Sequence, residues 1–177
     1  MCTPMNQHAS QDPTRKASQF SPQRDDSARI TVEREIPASS EAVFDVLTNV
    51  DRHAELDGSG FVLGLDHGDR ISRTGQNFRM NMSGPHMGGD YQTDNHVTGF
   101  DKNRLLAWQT APAGQEPPGW QWVWELEAQG SDTTTVRLTY DWSGVTDEEL
   151  KQQIGFPLVK ADQLEASLDK LAQAVAT

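Results

Sequence analysis

Residues 119–128, Gly-Trp-Gln-Trp-Val-Trp-Glu-Leu-Glu-Ala, place Trp120, Trp122, Trp124, Leu126 and Ala128 at alternate positions, with Gln121, Glu125 and Glu127 between them. A repeat of two is the period of a β-strand, so the segment predicts an antiparallel strand with one buried face. Each buried indole covers roughly 150–250 Å², and three in a row present on the order of 600 Å² of apolar surface. A soluble monomer rarely leaves so much uncovered. The face needs a cover: a helix of the same chain, an apolar ligand, or both.

The same pattern organises the rest of the chain. Ile30, Val32 and Ile36 alternate with Thr31, Glu33 and Glu35, which predicts a first strand ended by Pro37. Ser39 or Ser40 then caps a helix carrying Val43, Phe44, Leu47 and Val50, and Asp51 stands where it would cap a second, short helix through His53 and Leu56, stopped by Gly58. Between Phe61 and Gly144, turn chemistry at 66–68, 83–85, 88–90 and 117–119 separates strands expected at 61–66, 70–73 continuing toward 76–82, 90–100, 104–111, 119–128 and 133–143. After Gly144, Thr146 and Glu149 stand at capping-box spacing. Gly155 and Pro157 interrupt that helix, and Pro157 suits the first turn of a last one, whose stripe runs Ala161, Leu164, Leu168, Leu171 and Val175. This long amphipathic helix is the expected cover for the tryptophan face.

Strand, two short helices, a six-stranded meander and a long terminal helix describe an α+β helix-grip arrangement, with a curved antiparallel sheet of about seven strands around the last helix. The chain resembles the START-like, or Bet v 1-like, superfamily and within it the bacterial polyketide cyclase/dehydrase-type SRPBCC proteins. The resemblance is carried by Ile-Thr-Val-Glu-Arg-Glu-Ile-Pro-Ala-Ser-Ser-Glu-Ala-Val-Phe at 30–44, Asp-Arg-His-Ala-Glu-Leu-Asp-Gly-Ser-Gly at 51–60 and Gly-Gln-Asn-Phe-Arg-Met-Asn-Met at 75–82. Leu-Leu-Ala-Trp at 105–108 and Leu-Thr-Tyr-Asp-Trp-Ser at 138–143 extend it. It implies an internal cavity for a small hydrophobic molecule of aromatic, polyketide-like or lipid-like chemistry. Fold does not fix activity. The resemblance leaves open a polyketide cyclase or dehydratase, a non-catalytic carrier or sensor, and a co-chaperone-like interaction module.

A chain of 177 residues accommodates one full core. Residues 1–27, rich in Gln, Ser, Pro and Asp, read as a disordered tail, and 28–177 as the ligand-binding domain. Tail charges cancel, Arg15, Lys16 and Arg24 against Asp12, Asp25 and Asp26, so the formal charge of −11 belongs to the body. That field disfavours nucleic acid and anionic lipid surfaces as partners. The single cysteine, Cys2, cannot form an internal disulfide, and neither a signal-peptide-like stretch nor a membrane-length run of about 18 apolar residues is present. A cytoplasmic monomer or homodimer is the expectation.

In the implied fold, Trp108, Trp120, Trp122, Trp124 and Trp142 form the large walls of the cavity, or pack on the helix. Met80 and Met82 suit a pocket that adapts its shape, or fill gaps in the core. Tyr140, between Leu138 and Trp142 on the apolar face, either orients an oxygen-bearing ligand, donates a proton, or is a water-satisfied core tyrosine; Tyr91 and Asn95, in register with Val97, carry the same alternatives. Arg34 shares the parity of Ile30, Val32 and Ile36 and either binds an anionic or carbonyl group or reaches the cavity rim. His53 and Asp57 fall near the entrance that the resemblance implies, as a proton-exchanging pair or as ordinary helix-surface residues. Arg79 and Asn81 belong to the opposite, solvated face. No compact catalytic set is recognisable, and no cofactor is implied. His8, His53, His67, His86 and His96 show no metal-ligand spacing. The glycine-rich stretch 84–89 links two strands without opening a helix and reads as a hairpin loop at the pocket mouth.

Overall fold

A computed structural model describes residues 28–176; the expected tail, 1–27 with Cys2, lies outside the described residues. Seven strands form one antiparallel sheet: β1 (Arg29–Ile36), β2 (Val62–His67), β3 (Asn77–Gly84), β4 (Gly89–Asp101), β5 (Leu105–Pro112), β6 (Gln121–Ala128) and β7 (Thr134–Asp141), in the order β1-β7-β6-β5-β4-β3-β2. Helices α1 (Ser40–Thr48) and α2 (His53–Leu56) follow β1, and α3 (Glu148–Ile154) and α4 (Ala161–Ala176) follow β7. This is the α+β helix-grip architecture. Register breaks at Val62/Gly64, Leu65/His67 and Val97/Gly99 bend the sheet, because a bulge increases local twist. No helix among the described residues is long and apolar enough to cross a membrane.

The helix stripe fits the concave face as its spacing requires. Leu164, Leu168 and Leu171 are fully buried, with Ser167 and Ala174 beside them, while Val175 is half-buried. The strands that α4 chiefly packs against are β1 and β7, and its other neighbours are α1 and α2. Gly58 locks that seat: a Cβ there would stand 2.2 Å from Gln163 O and 2.7 Å from Ser167 N, and its own N–H donates to Ser167 Oγ at 2.8 Å. Helix α2 already ends at Asp57, whose backbone is extended, so Gly58 does not stop it; what its lack of a side chain does is let two backbones meet.

Several local expectations shift. Segment 70–73 is not strand, because Ile71 is buried and donates its N–H to Thr48 O at the end of α1. Trp120 precedes β6, which begins at Gln121, and Ala128 at its far end is exposed. Ser39 is the cap of α1, its Oγ accepting from Ala42 N. Asn49, not Asp51, caps the turn before α2, its Oδ1 accepting from Asp51 N. Asp147, not Thr146, caps α3, its carboxylate Oδ1 accepting from both Glu149 N and Leu150 N. Pro157 lies in the α3–α4 linker, since α4 starts only at Ala161.

His53 fastens α2 to α1. Its ring is buried, and Nε2 donates to Leu47 O at 2.7 Å, which places a proton on that nitrogen because a carbonyl can only accept. Burial pushes its pKa down to about 4, with the Leu47 hydrogen bond opposing in part.

Two consequences are measurable. Leu168→Ala should cost about 2–5 kcal/mol in chemical denaturation, as for other fully buried leucines; a loss below about half a kilocalorie would remove α4 from the core. Because the folded pKa of His53 lies below its unfolded value near 6.5, its contribution is complete above pH 6.5 and is lost as the pH falls toward 4. In that window the wild type should lose about 1.4 kcal/mol per pH unit more than His53→Phe. Parallel pH slopes for the two proteins would show that His53 takes up its proton without unfolding.

Candidate ligand-binding cavity

Because α4 sits over the β1–β7 side, the concave face of β3 to β6 is left to be closed by other parts. A cavity of about 420 Å³ remains between that face, α4, α2 and the α3–α4 segment. Its volume lies within the range of small-molecule sites. Of the residues singled out from sequence, Met80, Met82, Tyr91, Asn95, Trp108, Trp120, Trp122, Trp124 and Tyr140 all line it. Trp142 does not. It follows the last residue of β7, and its N–H donates to Ala28 O, while its ring packs against Tyr140 and lies parallel to Phe156. The indole thus backs the wall instead of forming it.

Arg34 also stays outside, because its guanidinium reaches across the surface to Asp169 on α4 at 3.0 Å. Arg79 and Asn81 are on the outer face, where Arg79 makes a two-pronged pair with Asp94 and Asn81 accepts from Gln92 Nε2. The Arg79 guanidinium, with Gly114 N–H assisting, holds the Asp94 carboxyl down at about 2. His53 and Asp57 do line the cavity, but not as a pair: His53 is engaged by Leu47, and Asp57 accepts from Ser59 N, Ser59 Oγ and Val62 N. The Asp57 carboxylate therefore organises the loop between α2 and β2.

Flat aromatic surfaces dominate the wall. Trp122 and Tyr140, cross-strand neighbours on β6 and β7, stack with centroids 4.3 Å apart and planes 9° from parallel. Trp108 stacks on His53 at 5.2 Å, and Phe78 meets both edge-on. Burial raises the Tyr140 pKa, with the Leu158 backbone opposing in part, so the phenol keeps its proton. The indole N–H of Trp124 is buried without a partner among the described residues.

A polar chain crosses the floor. Trp122 Nε1 donates to Thr110 Oγ1 at 3.1 Å, and the Thr110 hydroxyl donates to Asn95 Oδ1 at 2.8 Å. Asn95 Nδ2 then donates to Phe78 O at 3.3 Å and to Thr93 Oγ1 at 3.4 Å. At the mouth, the Tyr91 hydroxyl lies 3.1 Å from His86 Nε2. Burial lowers the His86 pKa, whereas burial together with the Asp57 charge pushes Tyr91 up to about 12. The loop expected at this mouth contributes His86 and Met87 from a short 3₁₀ turn.

The sequence reading did not single out Thr93, Thr110, Ser167, or Leu150, Gln153, Ile154 and Phe156 from α3 and its linker, all of which line the cavity. Thr93 and Thr110 were within reach of strand parity, since they alternate with Tyr91 and Asn95 and with Leu106 and Trp108. The α3 contribution has no such signal. Among the described residues, no Lys or Arg lines the wall, and no three metal-ligating side chains gather anywhere.

Solved structures share this architecture at low sequence identity. An aromatase/cyclase from a Streptomyces species superposes with a TM-score of 0.60 at 12% identity, covering 84% of this chain and 93% of its own. Truncated norcoclaurine synthase from Thalictrum flavum gives 0.59 at 18%, covering 83% and 92%. A START superfamily protein from Mycobacterium smegmatis gives 0.55 at 14%, covering 84% and 97%. At these identities the likeness is one of fold. In sequence, uncharacterized proteins from two strains of Mycobacterium tuberculosis are 30% identical over 148 residues, 81% of this chain. The chain spans 62% of the length of these curated relatives. The profile of one family matches residues 27–176, the whole described body, and the chain belongs to that family, polyketide cyclase / dehydrase and lipid transport.

Proposed function

We propose that this protein binds a neutral, flat hydrophobic molecule, of aromatic, polyketide-like or lipid-like chemistry, in the cavity between α4 and the sheet. The observation that carries the reading is the wall itself: stacked indole and phenol rings, flexible thioethers from Met80 and Met82, and, among the described residues, no lysine or arginine to receive an anion. A flat ring gains dispersion contact on such surfaces, while a carboxylate would lose its hydration without compensation. Carriage or sensing of such a ligand needs nothing further from the site.

A second reading, cyclisation or dehydration of a carbonyl-rich chain, draws on the Tyr91–His86 contact at the mouth. A phenol whose pKa is pushed up to about 12 stays protonated and donates to a developing enolate oxygen, while a neutral imidazole beside it accepts a proton.

Naphthalene-ethanol should quench the tryptophan fluorescence saturably, and naphthalene-acetate, matched in shape but anionic, should bind at least about tenfold more weakly. Equal affinities, or no saturable quenching together with indoles closed to acrylamide, would displace the cavity reading in favour of an interaction module. Tyr91→Phe separates the two uses of the site. Turnover of a poly-β-ketone analogue should fall on the order of 10²-fold at unchanged affinity if the phenol is an acid; turnover absent in the wild type assigns the cavity to carriage.

A further inference from the structure

Hydrogen bonds on the cavity floor have a direction that the residue types themselves impose. An indole N–H can only donate, so at Thr110 the hydroxyl oxygen is an acceptor for Trp122. At the other end, a backbone carbonyl can only accept, so the Asn95 group facing Phe78 O must be the amide nitrogen. Both ends thus give Asn95 one orientation: Oδ1 faces Thr110 and takes its proton, and Nδ2 faces Phe78 and Thr93. Thr93 Oγ1 is therefore an acceptor toward Asn95, and its own proton has no acceptor among the described residues.

Thr93 is 5% exposed and lines the cavity, on β4 opposite Met80 and Pro112. A donor so placed needs an acceptor, and in the empty cavity water can supply one. An apolar occupant that displaces the water leaves the donor unpaired, whereas an occupant with an oxygen acceptor at that point replaces the bond. Elsewhere on the cavity wall the Trp124 indole N–H has no partner among the described residues and the Tyr140 phenol keeps its proton, so these two also offer donors.

We infer that Thr93 is a specificity-determining donor, the end of a Trp122–Thr110–Asn95–Thr93 relay, and that it selects neutral ring ligands bearing a carbonyl or ether oxygen over their hydrocarbon counterparts. This rests on the cavity being a site for neutral flat molecules. The relay places the donor on three different strands' worth of fixed geometry, so the preference is built into the sheet and does not depend on a loop. Asn95 is held from both sides and offers Thr93 only its amide N–H, and the described residues supply no other acceptor for the Thr93 proton.

Fluorenone and fluorene differ by one carbonyl oxygen and test the idea directly by calorimetric titration. The wild type should bind fluorenone about three- to tenfold more tightly, the range of one net hydrogen bond. Thr93→Val, which keeps the branched shape but removes the donor, should bring the two affinities together by weakening fluorenone and tightening fluorene, which then leaves no hydroxyl unpaired, and Thr93→Ser should restore the preference. Independently of any variant, the infrared carbonyl stretch of fluorenone bound to the wild type should lie below its position in an apolar solvent. Equal wild-type affinities, an unshifted carbonyl band, or a preference that survives in Thr93→Val overturns the role of Thr93 while leaving the cavity reading intact. If neither probe binds, the cavity reading falls and this inference falls with it.

Discussion

The seating of α4 is the constraint on which the rest depends. Leu164, Leu168 and Leu171 fill the concave side over β1 and β7, and the contact of Gly58 with the helix backbone fixes how close α4 comes to the α2 end. A helix about 10–12 Å across cannot cover a curved sheet of seven strands. The uncovered part is where β3 to β6 present their bulkiest side chains. The cavity is thus the remainder of a packing problem, and its aromatic character follows from strands that must bury one face without a helix directly above it.

That remainder is sealed by parts with weaker intrinsic structure. Helix α3 has only seven residues and none of them is fully buried; its apolar side turns toward the cavity, where Leu150 and Ile154 meet the space beside Phe156. Tyr91 and His86 border the opposite region with Phe61. The walls themselves are rigid, because their side chains are cross-strand neighbours in a continuous ladder, as with Trp122 beside Tyr140 and Trp108 beside Trp122. The stacked faces of those walls are the surface on which the proposed flat ligand would rest. The polar chain across the floor fits that role, since buried amide and hydroxyl groups are tolerated only when almost all of their bonds are made.

The order of elements, the parity of each strand and the covering stripe were all legible from residue spacing, because period two and period 3.6 are set by backbone geometry alone. Parity placed nine of the ten singled-out site residues on the cavity wall, and it could equally have picked out Thr93 and Thr110. It failed for Trp142 because alternation says which side a residue faces, and beyond Asp141 the strand has ended and the ring is taken up by Phe156 and Tyr140. It also made His53 and Asp57 look like a pair, although backbone groups of Leu47 and of the α2–β2 loop had already claimed both.

Sequence by itself determined the helix-grip architecture, the acidic body and the faces of the strands, since those follow from local periodicity and counting. Tertiary structure alone decided how far α4 reaches across the sheet, which leaves about 420 Å³ empty, and which hydroxyl on the floor is left with a proton to give. Both depend on distances between residues far apart in the chain, Gly58 against Ser167 and Trp122 against Thr110, and no spacing along a sequence encodes such distances.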